Sequence, residues 1–212
     1  MKPEKPDEAM TISHRSPKAI VAGSGNDVLS TTSDEECVKR FIGGERDAFV
    51  HLVHRHQERV RNLIFSILGY TQVVDDLAQD VFIKVYQSLP QFRFQSSFST
   101  WLYRVTVNRC RDEMRRNKVR RVLRLDSLEE KDHPADLEAT EKTERVIIND
   151  ALNKALKSLS DIHRTMIILK EVEGMSYEEI AEVMKCGVGT VKSRLARART
   201  RLKKELLPFV EE

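Results

Sequence analysis

The stretch Ser176 to Lys204, SYEEIAEVMKCGVGTVKSRLARARTRLKK, leaves the chain least freedom to fold. Ser176 with Glu179 three residues on is a capping-box start, which predicts a helix from about Tyr177 to Met184 that Lys185-Cys186-Gly187 ends. Val188, Val191, Leu195, Ala198 and Leu202 then recur in alternating steps of three and four, so a second helix lays one narrow apolar stripe on its neighbours. The pair reads as a helix-turn-helix. Opposite the stripe stand Gly189, Thr190, Ser193, Ala196, Arg197 and Thr200, with Lys192, Arg194, Arg199 and Arg201 on the flanks. From Gly187 to Lys204 there are seven cations (Lys192, Arg194, Arg197, Arg199, Arg201, Lys203 and Lys204) and no acid. Such a face suits the major groove: small residues let the backbone approach base edges, Arg197 can fork onto guanine, and the flanking cations can hold phosphates. The plainer alternative is a solvated cationic face on a surface helix.

With 33% charged residues, 6% aromatics, few prolines and long stretches of helical period, the 212-residue chain is expected to be all-α, with apolar content enough for two modest cores. Net charge is only +3, but the charge is segregated. Arg104 to Arg124 holds nine cations against Asp112 and Glu113, whereas Asp126 to Asp150 holds nine acids against Lys131, Lys142 and Arg145. A polyanion would therefore meet selected faces. Cys37, Cys110 and Cys186 lie far apart in no metal-ligand spacing, and the odd count argues against a disulfide framework. With no apolar run near the roughly 18 residues of a membrane span, and no signal-like h-region, the expectation is a soluble cytoplasmic protein.

Residues 1–33, rich in Pro, Ser, Thr, Gly and Lys, read as a tail. Two helices follow from Asp34, broken near Gly43-Gly44, with core positions Phe41, Phe49, Leu52, Val53, Val60, Leu63, Ile64, Ile67 and Leu68. His51, His54 and His56 read as surface histidines, because only His51 and His54 share a helical face and no ligand partner stands at the right spacing. Neither a metal site, a cofactor site nor a catalytic constellation is visible, so an enzyme is not expected. Gln72 to Leu89 is a further helix with Val74, Leu77, Ala78, Val81, Phe82 and Val85 inward; opposite them Asp76, Gln79, Asp80 and Gln87 surround an outward Ile83. Period alone leaves that face open between a protein-docking patch and a solvated acidic surface.

Between Phe92 and Tyr103 fall five of the chain's 13 aromatics: Phe92, Phe94, Phe98, Trp101 and Tyr103. Aromatics beside cations can hold extruded bases, each stacked base being worth roughly 1–3 kcal/mol. Some rings must be core, since Tyr103, Val107, Cys110 and Met114 make one inward stripe and Trp101 with Val105 another. Arg104, Asn108, Arg111 and Arg115 remain as an outward row able to track one strand. Asn117 to about Glu144 loses its pattern and reads as an acidic linker, after which Val146, Ile147, Ala151, Leu152, Ala155 and Leu159, then a helix Ile162 to Val172, complete a four-helix C-terminal domain.

Three blocks, DDLAQDVFIKVYQSLPQF, FSTWLYRVTVNRCRDEMRR, and the run from Leu159 through EVEGMSYEEIAEVMKCGVGTVKSRLARARTRLKK, stand in an order that resembles the extracytoplasmic-function sigma factors of bacterial RNA polymerase. The resemblance covers about Asp34 to Leu207; a small departure is Ser160, where the family commonly has proline. It implies two small helical domains, at 34–117 and 146–208, joined by a linker at 118–145. It implies that Asp76, Gln79, Asp80, Ile83 and Gln87 dock on the clamp helices of the polymerase's largest subunit. It implies that the segment Phe94 to Arg115 recognises and opens the minus-ten element, which on this chain offers Phe94, Ser96, Ser97, Phe98, Ser99, Thr100, Arg104, Asn108, Arg111 and Arg115. The second helix would read the minus-thirty-five element as duplex through Gly189, Thr190, Lys192, Ser193, Arg194, Ala196, Arg197 and Arg199. Core polymerase (clamp helices and flap region), promoter DNA and an anti-sigma factor are the partners it implies. A two-domain activator with a similar C-terminal helix-turn-helix is the alternative, but the alternating strands of its usual sensor domain are not visible here.

Overall fold

Ser33 starts the first helix, α1 (Asp34–Ile42): its hydroxyl accepts from the Glu36 N–H at 3.2 Å, and Asp34, Glu35 and Glu36 fill the first turn, where the helix dipole favours acids. The computed structural model describes residues 32–69, 72–125 and 152–207. The chain turns over Gly44, whose φ of 103° suits only glycine without strain. α2 (Ala48–Leu68) then buries Leu52, Val60, Leu63, Ile64 and Ile67 and stops at Gly69, left-handed at φ 75°. α3 (Val74–Ser88) runs into a 3-10 turn at Leu89–Gln91, where Pro90 occupies a first-turn position that needs no N–H. Ser97 caps α4 (Phe98–Leu125), accepting from the Thr100 N–H at 3.1 Å. Helices α1, α3 and α4 all pack on or beside α2, and their inward stripes close one core around Phe98, Leu102, Val81 and Val85.

In the C-terminal half, residues 152–158 are helical (α5), followed by α6 (Asp161–Ile167), α7 (Tyr177–Met184) and α8 (Val188–Leu206). The helix expected over Ile162 to Val172 is α-helical only to Ile167; Ile168–Val172 widens into a π turn. The widening follows from how the segment ends: the Met175 N–H reaches back to Leu169 O at 3.1 Å, Lys170 Nζ donates to Met175 O at 2.9 Å, and Gly174 turns the chain at φ 69°. α7 carries both halves of its capping box, Ser176 Oγ accepting from the Glu179 N–H at 3.1 Å and Glu179 Oε2 accepting from the Ser176 N–H at 2.8 Å. The left-handed position that ends α7 falls on Lys185, at φ 52°, whereas Gly187 is extended and serves as the N-cap of α8.

Two sequence expectations need correction. His56 is not a surface residue: it is 2% exposed, its ring lies 5.4 Å from that of Phe98, and its Nε2 meets Asp34 Oδ2 at 2.8 Å. Burial opposes ionisation of Asp34, but the bonds to His56 and Arg55 outweigh it, so its pKa falls below the ordinary value. A partner 22 residues away along the chain cannot be read from the spacing of His51, His54 and His56. Second, α4 continues to Leu125, past Asn117, with Val119, Val122 and Leu123 exposed on it. The rest of the expected tail, residues 1–31, and of the expected linker, residues 126–145, lies outside the described residues, as do Val146, Ile147 and Ala151.

The two halves pack on each other as one unit. Arg164 of α6 donates to Leu156 O at 3.0 Å, Leu159 O at 3.3 Å and, across the junction, to Ile67 O near the end of α2 at 3.2 Å. A guanidinium there answers carbonyls that a helix C-terminus leaves unpaired. α7 lies on α4.

Candidate nucleic-acid interface

On α8 the apolar stripe is inward, with Val191, Leu195 and Ala198 fully buried between α6 and α7. Gly189, Lys192, Ser193, Ala196, Arg197, Arg199, Thr200 and Arg201 are exposed, and Thr190 and Arg194 half-buried, as the 3.6-residue period requires. No heavy atom outside the immediate backbone would lie within 4 Å of a Cβ at Gly189, so the start of α8 presents bare backbone outward. Arg199 is committed locally: its Nε and Nη2 donate to Glu171 Oε1 at 3.0 and 2.7 Å. Lys192 stands over the Tyr177 ring at 5.8 Å. Arg197 makes no such local pairing in the structure and is the side chain on this face best placed to fork onto a base. Arg197→Ala should therefore cost about 1–3 kcal/mol in duplex binding and relax preference at one or two base pairs, whereas Lys192→Ala should weaken all sequences alike. A binding-site selection that returns the same upstream preference for Arg197→Ala would place the reading helix elsewhere.

The aromatic cluster divides. Phe98 is 0% exposed and Trp101, Phe92 and Tyr103 are buried, so these rings form core; the ring of Phe98 is thereby unavailable to a base. Phe94 alone of the five is exposed, at 41%, with φ 55° and its ring 4.9 Å from that of Phe92. A phenylalanine held in the left-handed region is strained, and here it is the one ring of the five that stands outward. Ser96 and Ser99 are half-buried, Ser97 is exposed and engaged in capping, and Thr100 is buried.

The row Arg104, Asn108, Arg111 and Arg115 does share one face of α4, but α7 lies on it. Thr100 Oγ1 donates to Glu179 Oε1 at 3.3 Å, Tyr103 Oη to Glu173 Oε2 at 2.7 Å and Arg104 Nη1 to Glu182 Oε1 at 3.5 Å. Arg111 Nη2 reaches Met184 Sδ at 3.1 Å, and burial with the nearby Arg115 lowers its pKa from the usual arginine value. Burial first, then the bond to Glu173, raises the Tyr103 pKa and keeps the phenol protonated. None of the three acids of this cover is marked by period or motif as a partner of α4; Glu179 was legible only as a cap. Cys110 sits beneath the row, its pKa pushed up to about 12 by burial, which makes it an inert thiol.

On α3, Asp76, Gln79, Asp80, Ile83 and Gln87 are all exposed, Ile83 at 49%. Asp80 pairs with Arg109 of α4. Gln79, Ile83 and Gln87 border an open groove of about 530 Å³ between α2 and α3, floored by Phe49, Val53 and Phe82. Among the described residues no group of three or more His, Cys, Asp or Glu is gathered as a metal site, and no helix is long and apolar enough to cross a membrane.

Residues 52–120 match the Sigma-70 region 2 family and residues 149–202 the Sigma-70, region 4 family. The chain is 37% identical over 194 residues to the RNA polymerase sigma-H factor of Pseudomonas aeruginosa, covering 87% of this chain and 100% of that one. It is 34% identical over 190 residues to the ECF RNA polymerase sigma-E factor of Escherichia coli K12, covering 84% and 96%. The chain belongs to the extracytoplasmic-function sigma factors. Two solved structures share its fold: CnrH, in complex with the cytosolic domain of CnrY, superposes with a TM-score of 0.59 at 29% identity over 80% of this chain and 94% of that one. RpoE, in complex with the anti-sigma factor NepR from Bartonella quintana, gives 0.58 at 29% identity over 74% and 96%. As a sigma factor the chain directs promoter-specific initiation of transcription; the region 2 match falls on α2 to α4 and the region 4 match on α5 to α8.

Proposed function

We propose that this sigma factor divides its work among three surfaces. The α3 face of Asp76, Gln79, Ile83 and Gln87 docks on the clamp helices of core polymerase, with Asp80 tied to Arg109 as its rigid edge. The outward face of α8 reads the upstream element as duplex, through Gly189, Thr190, Ser193, Ala196 and Arg197 at bases and Lys192 and Arg194 at phosphates. Phe94, Ser96 and the α4 row Arg104, Asn108, Arg111 and Arg115 take and hold the opened downstream strand.

The observation that most supports this reading is the outward face of α8, small and cationic with bare backbone at Gly189, on a sigma factor whose α4 carries a second cationic row. An apolar side chain left outward on α3, at the rim of a groove, supports the docking surface. An anti-sigma factor is a further expected partner, since RpoE, a solved relative at 29% identity, was captured with the anti-sigma factor NepR. The cytoplasm, where polymerase works, is the expected location.

Opening must offset a few kcal/mol of unstacking per extruded base, and a single outward ring can supply part of it. With core polymerase and promoter DNA, permanganate is expected to detect unpaired thymines at the downstream element. Phe94→Ala with Ser96→Gly should suppress that signal while upstream duplex protection persists. Ser97 and Phe98 are left intact because one caps α4 and the other is core. Thymine reactivity undiminished in the double variant would remove the melting role from this loop.

A further inference from the structure

α1 lies outside the stretch that matches region 2, which begins at residue 52, and its sequence pattern marks only core positions. Its charge is nevertheless ordered along its axis: Asp34, Glu35 and Glu36 fill the first turn, Lys39 and Arg40 the last. The basic end borders the loop that carries Phe94, because α1 packs on the 3-10 turn Leu89–Gln91 from which that loop leaves. The two cations there are used differently. Arg40 is spent within the protein, its Nε and Nη2 donating to Glu45 Oε2 and Oε1 at 2.7 and 2.5 Å as a bidentate pair. Lys39 is exposed and extends its ammonium over the ring of Phe94 instead, with Nζ 6.0 Å from the centroid.

An outward ring with an ammonium over it is equipped for one nucleotide. A π-face accepts any base, and a compact cation on a flexible stem meets the phosphate that comes with it. At a surface an ammonium gains less from a ring face than a stacked base does, so an arriving base displaces the Lys39 ammonium from Phe94. The ring itself stays, held outward at φ 55° and buttressed by Phe92 at 4.9 Å. We propose that Lys39 of α1 is a strand-binding residue: it pairs with the phosphate of the nucleotide whose base stacks on Phe94, and so brings α1 into the surface that holds the opened strand. The proposal rests on the reading of the Phe94 loop given above and adds to it a residue from outside the matched region. A phosphate contact carries no base identity, so Lys39 contributes affinity and salt dependence without altering the sequence preferred.

The test uses holoenzyme assembled from the full-length protein and core polymerase. Fluorescence anisotropy follows its binding to a fluorescein-labelled promoter fork, duplex upstream, with only the non-template strand continuing through the minus-ten element. Lys39→Met keeps the length of the side chain and removes its charge; Arg40→Met removes the same charge one residue away, from a side chain already paired with Glu45. Lys39→Met should weaken binding severalfold at low salt and make the slope of log K against log salt shallower by about 0.7, the share of one phosphate contact on a single strand. Arg40→Met should leave the slope at its parent value. In a Phe94→Ala background Lys39→Met should cost less than in the parent, because the two side chains hold one nucleotide. An unchanged slope in Lys39→Met, with Phe94→Ala still weakening the fork, overturns the role of Lys39 and leaves that of the loop. No loss in either variant overturns both. Equal losses from Lys39→Met and Arg40→Met would make the effect a general field of α1, and losses from Lys39→Met and Phe94→Ala that simply add would put cation and ring on different nucleotides; either result overturns the proposal.

Discussion

Replacing Ile83 with arginine is expected to abolish retention of this sigma factor on core RNA polymerase while leaving its helical circular dichroism intact. Ile83 is about half exposed, so the substitution touches little of the core; surface changes of this kind usually alter stability by no more than about 0.5 kcal/mol. Its value lies in what would cover it. Burying an isoleucine against a partner contributes about 1.5–3 kcal/mol, and forcing a guanidinium into the same apolar spot adds a desolvation cost of several kcal/mol more. Together these are worth thousands-fold in affinity, at about 1.4 kcal/mol per factor of ten. Asp80→Ala should do less, because that carboxylate already serves Arg109. Co-purification and calorimetry with core polymerase measure the difference. Normal retention of Ile83→Arg would move the docking surface off α3.

Phe98→Ala is expected to produce the largest loss of stability from a single change in the region 2 half. Its ring is fully buried among His56, Phe92 and Trp101, at centroid distances of 5.4, 6.4 and 6.0 Å. Truncation removes the transfer energy of the ring and leaves a cavity that three stiff aromatic neighbours cannot collapse into, a cost of about 3–5 kcal/mol. Because Phe98 is the first residue of α4, the cavity also loosens the turn from Phe92 to Ser97 that presents Phe94. Phe94→Ala, by contrast, deletes an exposed ring and should leave the denaturation midpoint nearly unchanged. Urea unfolding distinguishes the two, and equal midpoints for Phe98→Ala and the parent would exclude this residue from the core.

How much was legible differs from element to element. α7 begins and ends where Ser176, Glu179 and the Lys185-Cys186-Gly187 turn place it, and α8 faces inward along Val191, Leu195 and Ala198, because capping and 3.6-residue periodicity are local properties that neighbours only confirm. The outward position of Ile83 followed from the same arithmetic. The aromatic cluster was harder: five rings in a short stretch announce a special region, but period cannot say that Phe98 turns in while Phe94 turns out. That choice depends on a positive φ at Phe94 and on the hollow between α2 and α4 that Phe98 fills.

The sequence by itself determined an all-α chain, the helix-turn-helix of α7 and α8, the segregation of charge, and, through three ordered blocks, its family. Each of these rests on interactions between residues a few positions apart or on the order of such segments. Only the tertiary structure decided that His56 is buried against Asp34, that Arg164 ties α6 to the end of α2, and that Glu173, Glu179 and Glu182 lie over the basic row of α4. Those pairings join residues far apart along the chain, where no repeat connects donor to acceptor. Whether a surface charge faces water or another helix depends on how two independently formed helical layers pack, which no local pattern encodes.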